Sequence, residues 1–189
     1  MTVLFEEPKH PMKTNKRRAG LFISFSMFAV AAFAGNPKDF TIESPTHGTK
    51  FTLSEVKGKV IAVHFLLKSE CPYCLKYTHD YAKLAAKTPE VLHLFLKPDN
   101  VNEIKAWAGK ISNADLEKLP VVYRDVDARL AKKFSIPSGY KFHGQSVHFP
   151  ALVVLDGSGN ELFRYVGKRN SDRMKPDDFV AKLKAATEK

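Results

Sequence analysis

Cys71 and Cys74 are the only cysteines in 189 residues, and they stand three apart in Cys71-Pro72-Tyr73-Cys74. Two sulfurs at that spacing meet within one helical turn, which suits thiol–disulfide exchange. The thiolate is the nucleophile in that reaction, and a free cysteine with a pKa of ~8.5 is mostly protonated at neutral pH. The sequence offers a remedy. Pro72 fits the first position of a helix, where its missing N–H would have no partner. Cys71 then caps the helix, and the unpaired N–H groups and partial positive charge there favour a thiolate. Attack by Cys71 on a substrate disulfide would give a mixed disulfide. Cys74 would resolve it by attacking Cys71, and the same steps run backwards would oxidise a substrate. Lys68 and Lys76 would favour the thiolate and Glu70 would oppose it. A merely stabilising disulfide is the weaker reading, because so short a loop removes little chain entropy.

The surrounding pattern supplies elements to hold the pair. Residues 60–67 are nearly all apolar and read as a buried central strand, interrupted by His64, which is expected to be a hydrogen-bonded core histidine. Cys74, Tyr77, Tyr81 and Leu84 recur on one helical face, so Cys74 should point inward and Cys71 should sit at an exposed mouth. Strands are expected at 91–96 and 121–123. Asn100 with Glu103 resembles a capping box for a helix continuing through Val101, Ile104 and Ala108. Asp127 can cap a short helix carrying Leu130 and Phe134, and a loop with Gly139 and Gly144 leads to His148-Phe149-Pro150. Strands at 151–155 and 161–166 flank Asp156-Gly157-Ser158-Gly159-Asn160, a hairpin turn. Pro176, Asp177 and Asp178 open a last helix with an apolar stripe of Phe179, Val180, Leu183 and Ala186. Phe40-Thr41-Ile42 and Phe51-Thr52-Leu53 form a preceding hairpin. The sum is an α/β domain, a mixed central sheet flanked by helices with an N-terminal hairpin extension.

Composition bounds the remaining possibilities. An apolar fraction of 44% and a charged fraction of 26% fit a folded soluble domain and exclude a disordered, collagen-like or multi-span chain. Residues 1–34 carry a basic cluster, then the uncharged run 19–34 closing on Ala32-Phe33-Ala34, the three parts of a signal peptide. Retention as an uncleaved anchor is the alternative, and Met12 could be the true start. The domain would then be residues 35–189, periplasmic or secreted. The formal charge of +10 is spread over lysines along the chain, which reads as a solvated basic surface. No basic-aromatic nucleic-acid motif accompanies it, so no nucleic-acid partner is expected.

On these residues the chain resembles the thioredoxin superfamily, most closely its exported TlpA-like and redoxin branch. The resemblance rests on the 40–42 and 51–54 pieces, on Lys57 to Phe65 leading into Cys71-Pro72-Tyr73-Cys74, on 125–134, and on His148 to Glu161. It implies a thioredoxin-like fold and a thiol–disulfide oxidoreductase acting on protein substrates. It further implies a membrane or soluble redox partner, a monomer, and no cofactor or metal. It assigns Pro150 as a cis-proline facing the cysteines. Phe149, Pro150, Pro72 and Tyr73 would then hold the substrate chain. The residues agree to the extent that X–Pro bonds are those that tolerate cis. Two departures bear on redox potential and partner surface: Glu70 replaces the tryptophan common before the first cysteine, and the stretch from Phe65 to Cys71 is one residue longer than usual. Two alternatives remain. A peroxiredoxin-like thiol peroxidase would use Cys71 against peroxide and Cys74 to resolve the sulfenic acid; Lys68 stands where its threonine belongs, and no arginine is evidently placed to serve the site. A copper-binding thioredoxin-like chaperone would add His143 or His148 to the two sulfurs.

Overall fold

The computed structural model describes residues 39–111, 114, 116 and 118–188; the expected leader lies outside them. In chain order the strands and helices are β1 (Thr41–Glu43), β2 (Lys50–Thr52), β3 (Val60–Phe65), α1 (Pro72–Lys87), β4 (Val91–Lys97), α2 (Val101–Ala108), β5 (Val122–Arg124) and α3 (Arg129–Lys133). There follow β6 (Ser138–Phe142), β7 (Gln145–His148), β8 (Ala151–Leu155), β9 (Glu161–Val166) and α4 (Pro176–Thr187). Seven strands make one sheet in the order β2-β1-β5-β4-β3-β8-β9. β3, β4 and β5 are parallel, while β8 runs antiparallel to β3 and β9 antiparallel to β8. The β1–β2 hairpin joins the far edge through β5. This is the mixed sheet with an N-terminal hairpin that the sequence predicts.

The continuous apolar character of β3 and β8 follows from burial on both faces. Ile61, Val63 and Phe65 point into one apolar cluster with Phe40, Leu130 and Phe134. Ala62 faces the other, with Tyr77, Tyr81, Trp107 and Phe179 from the helices. The turn at Gly58 and the turn at Gly157 touch: a Cβ on Gly157 would meet Gly58 Cα at 2.8 Å, so the sheet end closes only with glycine there.

The expected capping box is present. Asn100 accepts from Glu103 N–H at 3.0 Å, and Glu103 accepts from Asn100 N–H at 3.0 Å. Three local expectations change. The buried Asp125, not Asp127, holds the start of α3, accepting from Leu130 N–H at 2.7 Å and Ala131 N–H at 3.0 Å. Asp127 and Ala128 both adopt φ 53, which reverses the chain and turns the Asp127 carboxylate to solvent. The expected loop at Gly139 and Gly144 is a two-stranded hairpin, β6 with β7. Val180 is 42% exposed, because Phe179 takes the inward position of α4.

Candidate active site

β3 ends at Phe65, and the chain crosses residues 66–70 to reach α1. As predicted, Cys71 is the cap and Pro72 the first helical residue. Cys71 N–H donates to the Lys68 carbonyl at 3.0 Å, and Cys74 N–H donates to the Cys71 carbonyl at 3.2 Å. Both cysteines are free thiols. The Cys74 thiol lies 4.0 Å from the Leu67 carbonyl. Cys74, Tyr77 and Tyr81 are buried on one face, as the spacing requires.

Cys71 is not at an exposed mouth. It is 1% exposed, and Cys74 is fully buried. The cover is a strap, residues 167–175, between β9 and α4. The strap begins where Gly167 N–H donates to the Pro150 carbonyl at 2.8 Å. A Cβ at Gly167 would overlap the Asp172 carbonyl oxygen, so only glycine allows the strap to fold this closely. Asp172 accepts from the Tyr165 hydroxyl and, at 2.8 Å, from Lys168 N–H. Asn170 N–H donates to the Tyr140 hydroxyl at 2.9 Å, and the Tyr81 hydroxyl donates to the Met174 carbonyl at 3.0 Å. These bonds place Arg173 over the pair. Its Nη2 donates to Cys74 Sγ at 3.2 Å and reaches Cys71 Sγ at 3.7 Å, while Nε donates to the Asn170 carbonyl at 3.0 Å. The guanidinium lies 5.2 Å from the Tyr77 ring centroid. No arginine is evident for this site from the sequence, because Arg173 is 102 residues from Cys71 along the chain.

The electrostatics divide the two sulfurs. The hydrogen bond from Cys74, with help from the Arg173 charge and the Cys74 N–H, outweighs burial and lowers the Cys71 thiol from 9.0 to about 6. Burial raises Cys74 well above its ordinary value, and the bond it gives to Cys71 raises it further. The arrangement is therefore a thiolate at Cys71 and a protonated partner at Cys74. Neither Lys68, Lys76 nor Glu70 is among the groups that set this, contrary to the sequence expectation.

Beneath the pair lies a buried cation. Lys97 is fully buried; it donates to the Leu67 carbonyl at 2.7 Å, pairs with Asp99 at 3.3 Å and sits 4.4 Å from the Trp107 ring centroid. Asp99 also accepts from Ser69 N–H at 3.0 Å, so the ion pair pins both ends of the crossing that carries Cys71. His64 is the core histidine expected: its ring nitrogens bond Tyr77 Oη at 2.8 Å and His93 Nδ1 at 2.9 Å. Burial holds His64 well below its ordinary pKa and lowers His93 to about 4, so both rings are neutral.

The remaining predicted residues divide. Pro150 is buried and lines, with Tyr77 and Arg173, a crevice too tight for a water molecule. Among the described residues no peptide bond is cis, so Phe149–Pro150 is trans, a correction to the cis assignment. The trans form is the intrinsically favoured one, and here Pro150 meets its neighbours through its carbonyl bond to Gly167. Phe149 packs against Tyr140, the tyrosine whose hydroxyl holds the strap at Asn170, at 5.4 Å between ring centroids. Pro72 and Tyr73 are exposed at the start of α1. A copper site finds no support in the ligand geometry: among the described residues no three His, Cys, Asp or Glu side chains converge. His148 instead bonds the Phe149 carbonyl at 2.7 Å, and His143 occupies a turn at φ 45. No described helix is long and apolar enough to cross a membrane.

Comparison with known proteins gives the class first. Solved structures with a thioredoxin-like architecture superpose on the chain. MTB dsbF is 21% identical, with 78% of this chain and 95% of that one covered at a TM-score of 0.58. The pneumococcal exposed lipoprotein thioredoxin Etrx1 from Streptococcus pneumoniae is 20% identical, with 78% and 98% covered at 0.61. Peroxiredoxin Q from Xanthomonas campestris is 19% identical, with 77% and 90% covered at 0.61. A comparison with curated protein sequences finds no match. The Redoxin family model matches residues 34–183, and the chain belongs to the Redoxin family, as an oxidoreductase of the thioredoxin superfamily.

Proposed function

We propose that the protein exchanges disulfides with polypeptide substrates through Cys71 and Cys74. The observation that carries this reading is the geometry of the pair: Cys71 caps α1 with Cys74 one turn on, and Arg173 Nη2 donates to Cys74 Sγ at 3.2 Å and reaches Cys71 Sγ at 3.7 Å. Cys71 attacks or is attacked, and Cys74 closes or opens the internal disulfide. The exposed Pro72 and Tyr73 offer a docking rim at the helix start, whereas Phe149 is half-buried and Pro150 buried, so a substrate would reach Pro150 only with the strap displaced. Export through the expected leader would supply the oxidising compartment in which such chemistry operates, with a membrane or soluble redox partner to turn the pair over. Wild-type protein should exchange with a model dithiol peptide and with insulin disulfides. Cys71→Ser should do neither, and Cys74→Ser should accumulate mixed disulfides. Equal turnover in both variants is incompatible with the scheme.

One observation favours a second reading, a thiol peroxidase. An arginine beside an enclosed thiolate suits attack on a small peroxide, with Cys74 resolving the sulfenic acid. Peroxide consumption by the purified protein, with sulfenate trapped at Cys71 in Cys74→Ser, separates this reading from the first.

A further inference from the structure

We infer that Arg173 is a latch set by the redox state of the pair, closing the strap over reduced Cys71 and releasing it from the disulfide, so that the protein accepts electrons from polypeptide dithiols. This rests on the disulfide-exchange reading and adds to it a direction and a substrate class.

The Arg173 side chain is half-buried, and among the described residues it makes no ion pair with a carboxylate. The adjacent Asp172 is occupied by the Tyr165 hydroxyl and Lys168 N–H. The counter-ion of Arg173 is therefore the thiolate of the pair, carried by Cys71, with Nη2 at 3.7 Å from Cys71 Sγ and 3.2 Å from Cys74 Sγ. Hydrogen bonds to an ionised acceptor are about twice as strong as neutral ones. Closing the disulfide removes two electrons and one proton from this thiolate–thiol pair and leaves two neutral sulfurs, which are weak acceptors. The guanidinium is then an uncompensated, half-buried charge, which is costly. Water is the better partner, and Arg173 leaves.

Release has a structural consequence because, among the described residues, Arg173 makes the strap's hydrogen bonds to the two sulfurs. The other anchors, single bonds to Tyr140, Tyr81, Pro150 and Tyr165 and the buried Met174 side chain, hold the rest of the strap and not its contact with Cys71. Moving Arg173 uncovers Cys71, the sulfur that an incoming thiolate must reach. A substrate thiolate attacks Cys71 Sγ, and Cys74 leaves and takes a proton. The second substrate thiol, losing its proton, attacks its own sulfur in the mixed disulfide and expels Cys71 as a thiolate. Substrate departs as a disulfide and the two electrons stay on the pair. The expelled thiolate is the species Arg173 binds, so closure of the strap favours this direction and shields the reduced pair from polypeptide disulfides. The low value at Cys71 agrees, since a stable thiolate is a good leaving group.

The test compares the full-length wild type with Arg173→Gln and Arg173→Lys, with two readouts. In glutathione redox buffers, Arg173→Gln should shift the equilibrium about tenfold toward the disulfide, a potential lower by about 30 mV, with Arg173→Lys between it and wild type. Hydrogen exchange over residues 167–175 should be slow in reduced wild type, fast in oxidised wild type, and fast in both forms of Arg173→Gln. An unchanged equilibrium in Arg173→Gln overturns the latch, as does equal exchange in both wild-type forms. If wild type forms no Cys71–Cys74 disulfide at any buffer ratio, the disulfide-exchange reading falls as well, which separates the two failures.

Discussion

Reduced protein should lose its first thiol proton near pH 6 and no second one in the ordinary cysteine range. The magnitude shows what this is for. At pH 7 a thiol of pKa about 6 is ~90% ionised, against ~1% for one at its ordinary 9.0. Nucleophilicity falls with basicity at a Brønsted slope of about 0.4–0.5, so each Cys71 thiolate attacks ~15 to 30 times more slowly than an unperturbed one. The net gain in attack rate is only about three- to sixfold. The larger effect is on Cys71 as a leaving group, because a less basic thiolate departs faster. Ultraviolet thiolate absorbance against pH reads the midpoint directly. Cys71→Ser should lack the transition. In Cys74→Ser the largest stabilising contact is altered, so the midpoint should rise yet stay below 9.0, held by Arg173 and the backbone N–H. The same shift links to stability. With the folded value below the unfolded one, the thiolate stabilises reduced protein fully above the ordinary value, and the contribution is lost as pH falls through about 6. A wild-type midpoint near 9.0, or one indifferent to Cys74→Ser, would refute the reasoning.

Four further substitutions probe the frame. Asp125→Ala should lower stability by ~1–3 kcal/mol through two lost caps in a buried setting, whereas Asp127→Ala should stay within ~0.5 kcal/mol; equal midpoints in urea would contradict the assigned cap. Lys97→Met leaves Asp99 buried without its cation and should destabilise by about 3–5 kcal/mol, and an unchanged urea midpoint would show that the pair does not pin the crossing. Gly167→Ala should displace the strap and speed hydrogen exchange over 167–175 in the reduced protein, and protection equal to wild type would mean the close approach at Asp172 is relieved at no expense.

What was legible in the sequence was whatever depended on near neighbours. The cap at Cys71, the proline after it, the capping box at Asn100 and the β8–β9 turn are each written within five residues, and each is where expected. The α3 cap went to Asp125 because the choice depended on the left-handed backbone at Asp127 and Ala128, which residue type alone does not signal. The β6–β7 hairpin was hidden because Gly139 and Gly144 read as loop glycines and its strands are largely exposed, so they lack a sharp alternation. Burial of Cys71 and the role of Arg173 were out of reach for one reason: both depend on a polar segment of ordinary composition returning across the sheet from a distance of about a hundred residues. The only hint was topological, since a chain leaving β9 toward a helix over the same face must cross the start of α1.

The stripe on α1 carries more than core packing. Cys74, Tyr77 and Tyr81 share one face, and both tyrosines hold the strap: Tyr77 lies under the Arg173 guanidinium and the Tyr81 hydroxyl donates to Met174. The helix that presents the sulfurs therefore also fastens their cover. Tyr81→Phe isolates this second duty. The ring still packs against His64 at 4.7 Å and Phe179 at 5.7 Å between centroids, while the Met174 carbonyl loses its donor. One such bond is worth ~1 kcal/mol net, and ~1 kcal/mol corresponds to a roughly fivefold change in an opening equilibrium. Alkylation of reduced Cys71 by iodoacetamide should accelerate by that factor at fixed pH, with the thiolate midpoint left in place. An unaltered alkylation rate would mean that the strap opens without breaking the Tyr81 bond and that Arg173 alone decides when Cys71 is reached.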